Sequence, residues 1–248
     1  MIIQILFSFT PRHQSNNSNR KKGKEMNQTM LKRRMSKQYQ FKRVLEQDKT
    51  DCIINNLRGK KSSDILDKYC SEKDLLPIDI VDIAQNIGIG LGSANFEVLE
   101  KKHNFKKLSG VKDNILGALL VKDNNIQIIY DSSYRDLAKA KLTQEEKEKK
   151  LDCRQRFTIA HEIAHCCLHM QKGQRVHIEY RTDQTDKNNK KEISANTFAG
   201  ELLIPTKMIL DILNNVKGIS ISTLANIFAV SEHVMIARMN HLKELNLI

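Results

Sequence analysis

The stretch Arg154-Gln-Arg-Phe-Thr-Ile-Ala-His-Glu-Ile-Ala-His-Cys-Cys-Leu-His169 decides how this 248-residue chain is read. It contains no Gly or Pro, and Phe157, Ile159, Ala160, Ile163 and Ala164 make it apolar enough to predict a buried helix. His161 and His165 stand four residues apart, so on that helix both rings leave one face and can converge on a single cation. Glu162, next to the first histidine, is placed to take a proton from a water held at the same point. His-Glu-x-x-His also arises by chance in unrelated chains. Here the apolar surroundings give the motif its weight, because an active-site helix has to be buried.

A tetrahedral catalytic zinc takes three protein ligands and leaves one position open. One helix does not supply all three. His169 continues the histidine row but lies eight residues past His161, a rise of about 12 Å, outside a single coordination sphere. It is also misplaced for the longer HExxHxxGxxH pattern, which needs a Gly turn and a later histidine. His169 is therefore expected to pack, or to support the ligands from outside. Cys166 and Cys167 point along different faces and are expected to be small core residues. The third ligand is sought in Lys191-Glu-Ile-Ser-Ala-Asn-Thr-Phe-Ala-Gly-Glu-Leu-Leu-Ile-Pro205, which reads as a second helix. Glu192, Ala195, Asn196 and Ala199 share one of its faces, and the two alanines permit close approach to the histidine helix. Glu192 is the expected ligand and Asn196, one turn on, its supporting hydrogen-bond partner. The rival is Glu201, but nine residues at about 100° each leave it half a turn out of phase. His177 and Tyr180 are candidates for stabilising an oxyanion, though a loop location is the expectation. Asp183 and Asp186 read as solvated loop charges.

The formal charge of +12 is not spread evenly. Residues 1–61 hold 15 Lys/Arg against 4 Asp/Glu, a net of +11, which leaves the remainder near neutral at +1. Within the first segment, Arg20-Lys-Lys-Gly-Lys24 and Lys32-Arg-Arg34 lie among Ser, Asn and Gln with few apolar residues, so a basic disordered arm is expected over 1–61. Met26, Met30 and Met35 offer alternative starts that would shorten it. The apolar first ten residues lack a basic region before them and a small-residue cleavage site after them, which argues against a signal peptide. No run of about 18 apolar residues could cross a bilayer. Five cysteines, odd in number and without CxxC spacing, fit a reducing cytoplasm better than a disulfide framework.

From residue 62 the pattern becomes that of a folded domain, expected over 62–210. Ser63–Tyr69 and Leu75–Gly88 predict two helices, the second starting near Pro77, burying Ile80, Ile83, Ala84 and Ile87, and stopping at Gly88. Ile115–Val121 and Ile126–Tyr130 predict two strands joined by a turn at Lys122-Asp-Asn-Asn125, in a small, mostly antiparallel sheet. Thr143-Gln-Glu-Glu146 is a capping box opening a solvated helix toward Lys150. A final segment, 211–248, has the spacing of a helix-turn-helix. Leu224, Ala225, Phe228, Val230, Val234, Ile236 and Met239 form its expected apolar face, and Ser231 its expected cap. A recognition helix presents several basic or amide side chains to base edges. This one offers mainly Arg238 and Asn240, so a packed helical subdomain that docks a protein is favoured over DNA binding.

Two linked motifs, Arg156-Phe-Thr-Ile-Ala-His-Glu-Ile-Ala-His165 and Glu192-Ile-Ser-Ala-Asn-Thr-Phe-Ala199, followed by Leu202-Leu-Ile-Pro205, resemble the ImmA/IrrE family of metallopeptidases over roughly residues 65–248. The resemblance departs mildly at Ala164 and Cys166-Cys167, where the family often has Gly and aliphatic residues. It implies an α+β, zincin-like fold with Zn²⁺ on His161, His165 and Glu192 and Glu162 as the catalytic base. It also implies cytoplasmic cleavage of a helix-turn-helix repressor that derepresses a mobile element, prophage or stress regulon. The competing expectation is a non-proteolytic regulator that binds DNA or a repressor around a structural zinc.

Overall fold

The computed structural model describes residues 49–72, 74–102, 114–122, 125–134, 137, 141–171, 177–182 and 189–248. The expected basic arm falls mainly on residues outside that set. Where description begins, residues 49–57 are already helical, and Ile53, Ile54 and Leu57 lie in the main hydrophobic core. The Gly59 N–H donates to the Cys167 carbonyl, 2.9 Å away, tying this helix to the end of the histidine helix. Folded structure thus starts at least thirteen residues before the boundary expected at 62. The charge run upstream hides an apolar triplet, Ile53, Ile54 and Leu57, that recurs at helical spacing.

Two short helices follow. In α1 (Ser62–Tyr69) Ile65 is buried, and Asp64 accepts from the Lys61 N–H at 3.0 Å. In α2 (Ile80–Ile87) Asp79 caps the start by accepting from the N–H groups of Val81 and Asp82, and Gly88 ends it at φ 93°, a left-handed value glycine tolerates. Ile80, Ile83, Ala84 and Ile87 are the buried face, as their spacing dictates. The helix begins at Ile80 rather than near Pro77, because the Asp79 side chain supplies the cap.

The sheet has four strands in the order β1-β3-β2-β4: β1 (Gly90–Ala94), β2 (Ile115–Lys122), β3 (Asn125–Asp131) and β4 (His177–Thr182). The predicted pair, β2 and β3, is antiparallel, with Lys122 opposite Asn125, and β4 is antiparallel to β2. β1, which Gly-Leu-Gly-Ser-Ala does not announce, runs parallel to β3. Two of the three pairings are antiparallel, so the sheet is mostly antiparallel as expected, with β1 the parallel exception. A helix, α3 (Phe96–Lys102), carries the chain away after β1, so that β3 and not β2 returns beside it. His177 and Tyr180, expected in a loop, belong to the backbone of the edge strand β4.

α4 (Gln144–Leu168) is one uninterrupted helix of 25 residues. The capping box closes as the sequence requires: Thr143 Oγ1 accepts from the Glu146 N–H, and the Glu146 carboxylate accepts from the Thr143 N–H at 2.8 Å. The solvated start and the buried histidine segment are the same helix, since nothing between them breaks it. Its second half crosses the sheet at Gly117 of β2. A Cβ placed there would lie 2.4 Å from Thr158 Cγ2, so only glycine lets the helix come this close. Buried Asp131 at the end of β3 holds the sheet to both helices, accepting from the Phe96 N–H and from Arg154 Nη2.

The C-terminal part consists of α5 (Lys190–Leu203), α6 (Thr206–Asn215), α7 (Ile221–Ile227) and α8 (Glu232–Glu244). Ser220 caps α7, and Ser231 caps α8 through the Val234 N–H, as expected. The buried face of α8 differs from the expected one. Met235, Arg238 and Leu242 point inward, whereas Ile236 is 47% exposed and Val234 and Met239 are only partly covered. The reason is Arg238. Its guanidinium donates to the Ile204 carbonyl (3.2 Å) and Thr206 Oγ1 (2.7 Å) and pairs with Glu201 (3.4 Å), which turns α8 toward α5. Among the described residues, no helix is long and apolar enough to cross a membrane.

Candidate metal centre

The site forms where α4 and α5 touch. Ala195 and Ala199 are fully buried between the two helices, and their small side chains let a carboxylate on α5 reach rings on α4. His161, Glu162 and His165 are all buried; Glu192 keeps 24% of its side chain exposed. His161 Nε2 and His165 Nε2 lie 3.0 Å apart, Glu192 Oε2 is 3.2 Å from the former, and Glu192 Oε1 is 3.3 Å from the latter. Around a tetrahedral zinc with Zn–N and Zn–O bonds of about 2.0–2.2 Å, neighbouring ligand atoms are separated by about 3.3–3.5 Å. The three side chains thus converge at nearly the separations a cation would impose.

The hydrogen-bond pattern supports that fit. His161 Nδ1 lies 2.9 Å from Asn196 Oδ1, an acceptor, so the proton sits on Nδ1 and Nε2 carries the lone pair. Burial pushes the His161 imidazole down to about 4, so it is neutral near pH 7. The Glu192 carboxylate is ionised near pH 7, the ordinary state of a glutamate. A neutral imidazole lone pair facing an ionised carboxylate is repulsive, and a shared divalent cation removes the repulsion. Two imidazole nitrogens and one carboxylate form a donor set suited to zinc.

His169 takes no part in the triad. Its Nε2 is 3.1 Å from the Lys191 carbonyl and 3.2 Å from Ser194 Oγ, so the ring ties the end of α4 to the first turn of α5, beside Glu192. Glu201 is directed elsewhere, toward Ser62 and Arg238. Cys166 and Cys167 are buried, and desolvation pushes the Cys167 thiol up to about 12. The side chains of His177 and Tyr180, together with Asp183 and Asp186, lie outside the described residues.

Arg181 escaped the sequence reading. It pairs with Gly117 across β2 and β4, so its side chain leaves the sheet on the face that meets α4. Nη1 donates to Thr158 Oγ1 at 2.7 Å, and the guanidinium carbon lies 5.1 Å from the centroid of the Phe157 ring. Burial lowers its pKa to about 10 against the opposing pull of Glu162 and Glu192, so it remains a cation. The available signal was the alternation in Ile178-Glu-Tyr-Arg181, which marks a strand. A cavity of about 960 Å³ opens between α4, α5 and the C-terminal helices, and its lining includes Phe157, Arg181 and Asn196.

Comparison with known proteins gives one family. No curated protein and no solved structure matches the chain. The family model described as Peptidase_M78, the IrrE N-terminal-like domain, matches residues 147–240, a span that runs from α4 into α8 and includes His161, Glu162, His165 and Glu192. That family consists of metallopeptidases, in keeping with a His/His/Glu group able to hold an ion. Residues 147–240 are thus similar to the IrrE N-terminal-like domain, which supports membership of the ImmA/IrrE family.

Proposed function

We propose that the chain is a zinc-dependent endopeptidase of zincin-like fold that works in the cytoplasm and cleaves a helix-turn-helix transcriptional repressor. The observation that carries the reading is the convergence of His161 Nε2, His165 Nε2 and the Glu192 carboxylate, with Asn196 fixing the first ring. Zinc in such a site supplies Lewis-acid chemistry, acidifying a water and polarising a carbonyl. Glu162, buried on the same helix turn, takes the proton from the attacking water and delivers it to the leaving amine nitrogen. His169 holds the start of α5, keeping the Glu192 carboxylate against the two rings. All five cysteines are free thiols, in keeping with a reducing compartment.

The partner reading rests on α7 and α8, whose two-helix spacing is that of a helix-turn-helix. Arg238, the one arginine of the expected recognition helix, is 3% exposed and spends its donors on Ile204, Thr206 and Glu201. An arginine so engaged does not reach base edges, which supports a docking subdomain for protein over a reader of DNA.

The test is co-expression of this chain, as wild type and as Glu162→Gln, with each helix-turn-helix protein encoded beside it, followed by intact-mass spectrometry and zinc analysis. Fragments seen only with wild type, with zinc retained in both, are the expected result. Fragments in both, or no cleavage of any candidate with zinc bound, would overturn it.

A further inference from the structure

Resting on the peptidase reading, we propose that Arg181 is a catalytic residue: its guanidinium meets the carbonyl oxygen of the scissile peptide as that oxygen becomes an oxyanion. Three features place it there. Gly117 and Arg181 face each other across β2 and β4, and the absent Cβ of Gly117 is the point where Thr158 and Glu162 approach the sheet. The Arg181 side chain is therefore aimed at the turn of α4 that carries the base. Next, among the described residues the guanidinium is held through Nη1 and against one ring. Nη1 donates to Thr158 Oγ1, which itself donates to the Arg154 carbonyl, and the Phe157 ring flanks the plane. A guanidinium has five N–H donors. Among the described residues its hydrogen bond is the one to Thr158, and Arg181 lines the cavity together with Phe157 and Asn196. Finally, Phe157 and Thr158 lie one helical turn before His161 and Glu162, so the cation is fixed beside the reacting pair and moves little when charge develops.

The step balances without a further reactant. Water oxygen bonds to the carbonyl carbon, the π pair moves onto the carbonyl oxygen, and Glu162 takes the water's proton. Arg181 donates to the anionic oxygen and remains protonated throughout. When the C–N bond breaks, the oxyanion pair re-forms the carbonyl, and the proton from Glu162 goes to the departing nitrogen.

The experiment separates this step from zinc binding by comparing two probes on the zinc-loaded full chain by calorimetry. Phosphoramidon presents a tetrahedral phosphoryl anion, whereas a peptide hydroxamate grips the metal without that geometry. Arg181→Met should weaken phosphoramidon by about a hundredfold, the scale of losing one oxyanion donor, and change hydroxamate affinity by less than about threefold. Arg181→Lys, which keeps the charge but not the fork, should fall between and serves if the Met variant does not fold. Equal loss of both probes would reduce Arg181 to a structural role. Unchanged phosphoramidon binding in both Arg181 variants, with loss in Tyr180→Phe or His177→Gln, would move the assignment to β4's other candidates. If zinc-loaded wild type binds neither probe, the peptidase reading itself falls, and this assignment with it.

Discussion

Two glutamates on α5, Glu192 and Glu201, show how one helix serves two ends. They are nine residues apart, and at about 100° per residue that puts them on opposite faces. Glu192 faces α4, and its two oxygens each meet a histidine nitrogen. Glu201 faces the other way and gathers Ser62 of α1 with Arg238 and His241 of α8. The chemistry of the two side chains is the same. One carboxylate opposes two imidazole nitrogens that ask for a shared cation, and the other opposes a permanent cation that already supplies it. The comparison predicts that substitutions at the Glu192 end alter metal and activity, while substitutions at the Glu201 end alter stability.

The largest effect is expected from Glu192→Gln. It removes a charged donor of the triad, so zinc affinity should fall by more than the about 10–100-fold that loss of an outer hydrogen-bond partner costs. Peptidase activity should vanish with it, while the unfolding midpoint of the metal-free protein stays close to wild type. Chelator competition and urea unfolding measure the two quantities. Full zinc affinity would break the distinction between the two carboxylates.

Next in size is Arg238→Met at the opposite end. The substitution leaves the Ile204 carbonyl and Thr206 Oγ1 without their donor and takes a buried cation from Glu201. Stability should drop by about 2–3 kcal/mol, less than for a fully buried pair because Glu201 is 30% exposed. Zinc affinity should be unchanged when measured well below the midpoint. A concurrent loss of zinc would mean that the two ends of α5 are coupled.

Much of this division is legible in the sequence. The four-residue histidine spacing, the phase of Glu192 against Glu201, and the alanines that admit α5 to α4 all follow from helix periodicity. So do the Thr143 capping box and the buried face of α2. What periodicity does not carry is strand geometry and tertiary demand. β1 is Gly-Leu-Gly-Ser-Ala, too short and too small to alternate, so the parallel pairing with β3 was invisible. Arg181 reads as one more charge in a polar segment until Gly117 opposite it is seen to admit α4. The inward turn of Arg238 is a tertiary choice. The apolar pattern predicted Ile236 inside, but the open carbonyl at Ile204 and the Glu201 carboxylate bring an arginine in instead.

A smaller effect on the metal side is expected from Asn196→Ala. Asn196 stands outside the triad; its Oδ1 accepts from His161 Nδ1 and keeps Nε2 turned toward Glu192 and His165. Zinc affinity should fall by about 10–100-fold, the usual cost of losing such a support. Asn196→Asp, which still accepts, should retain most of it. Equal losses in the two variants would show that packing, not acceptance of the proton, is what position 196 provides.

The smallest effect is reserved for Glu201→Gln, and it sharpens the comparison most because it mirrors Glu192→Gln on the same helix. The amide oxygen still accepts from Arg238, and the amide NH2, in place of the other oxygen, donates to Ser62 Oγ, so shape and most hydrogen bonding survive while the charge opposite the guanidinium is lost. Although Arg238 is buried, the Glu201 side chain is 30% exposed, so solvent screens part of the attraction. The expected destabilisation is about 1 kcal/mol or less, read from the urea midpoint at constant slope. Raising the salt concentration should shrink it further, since only the charge term has been removed. A loss as large as that of Arg238→Met, insensitive to salt, would show that Glu201 acts through geometry alone. The division of labour on α5 would then rest on shape, and not on which carboxylate already has its cation.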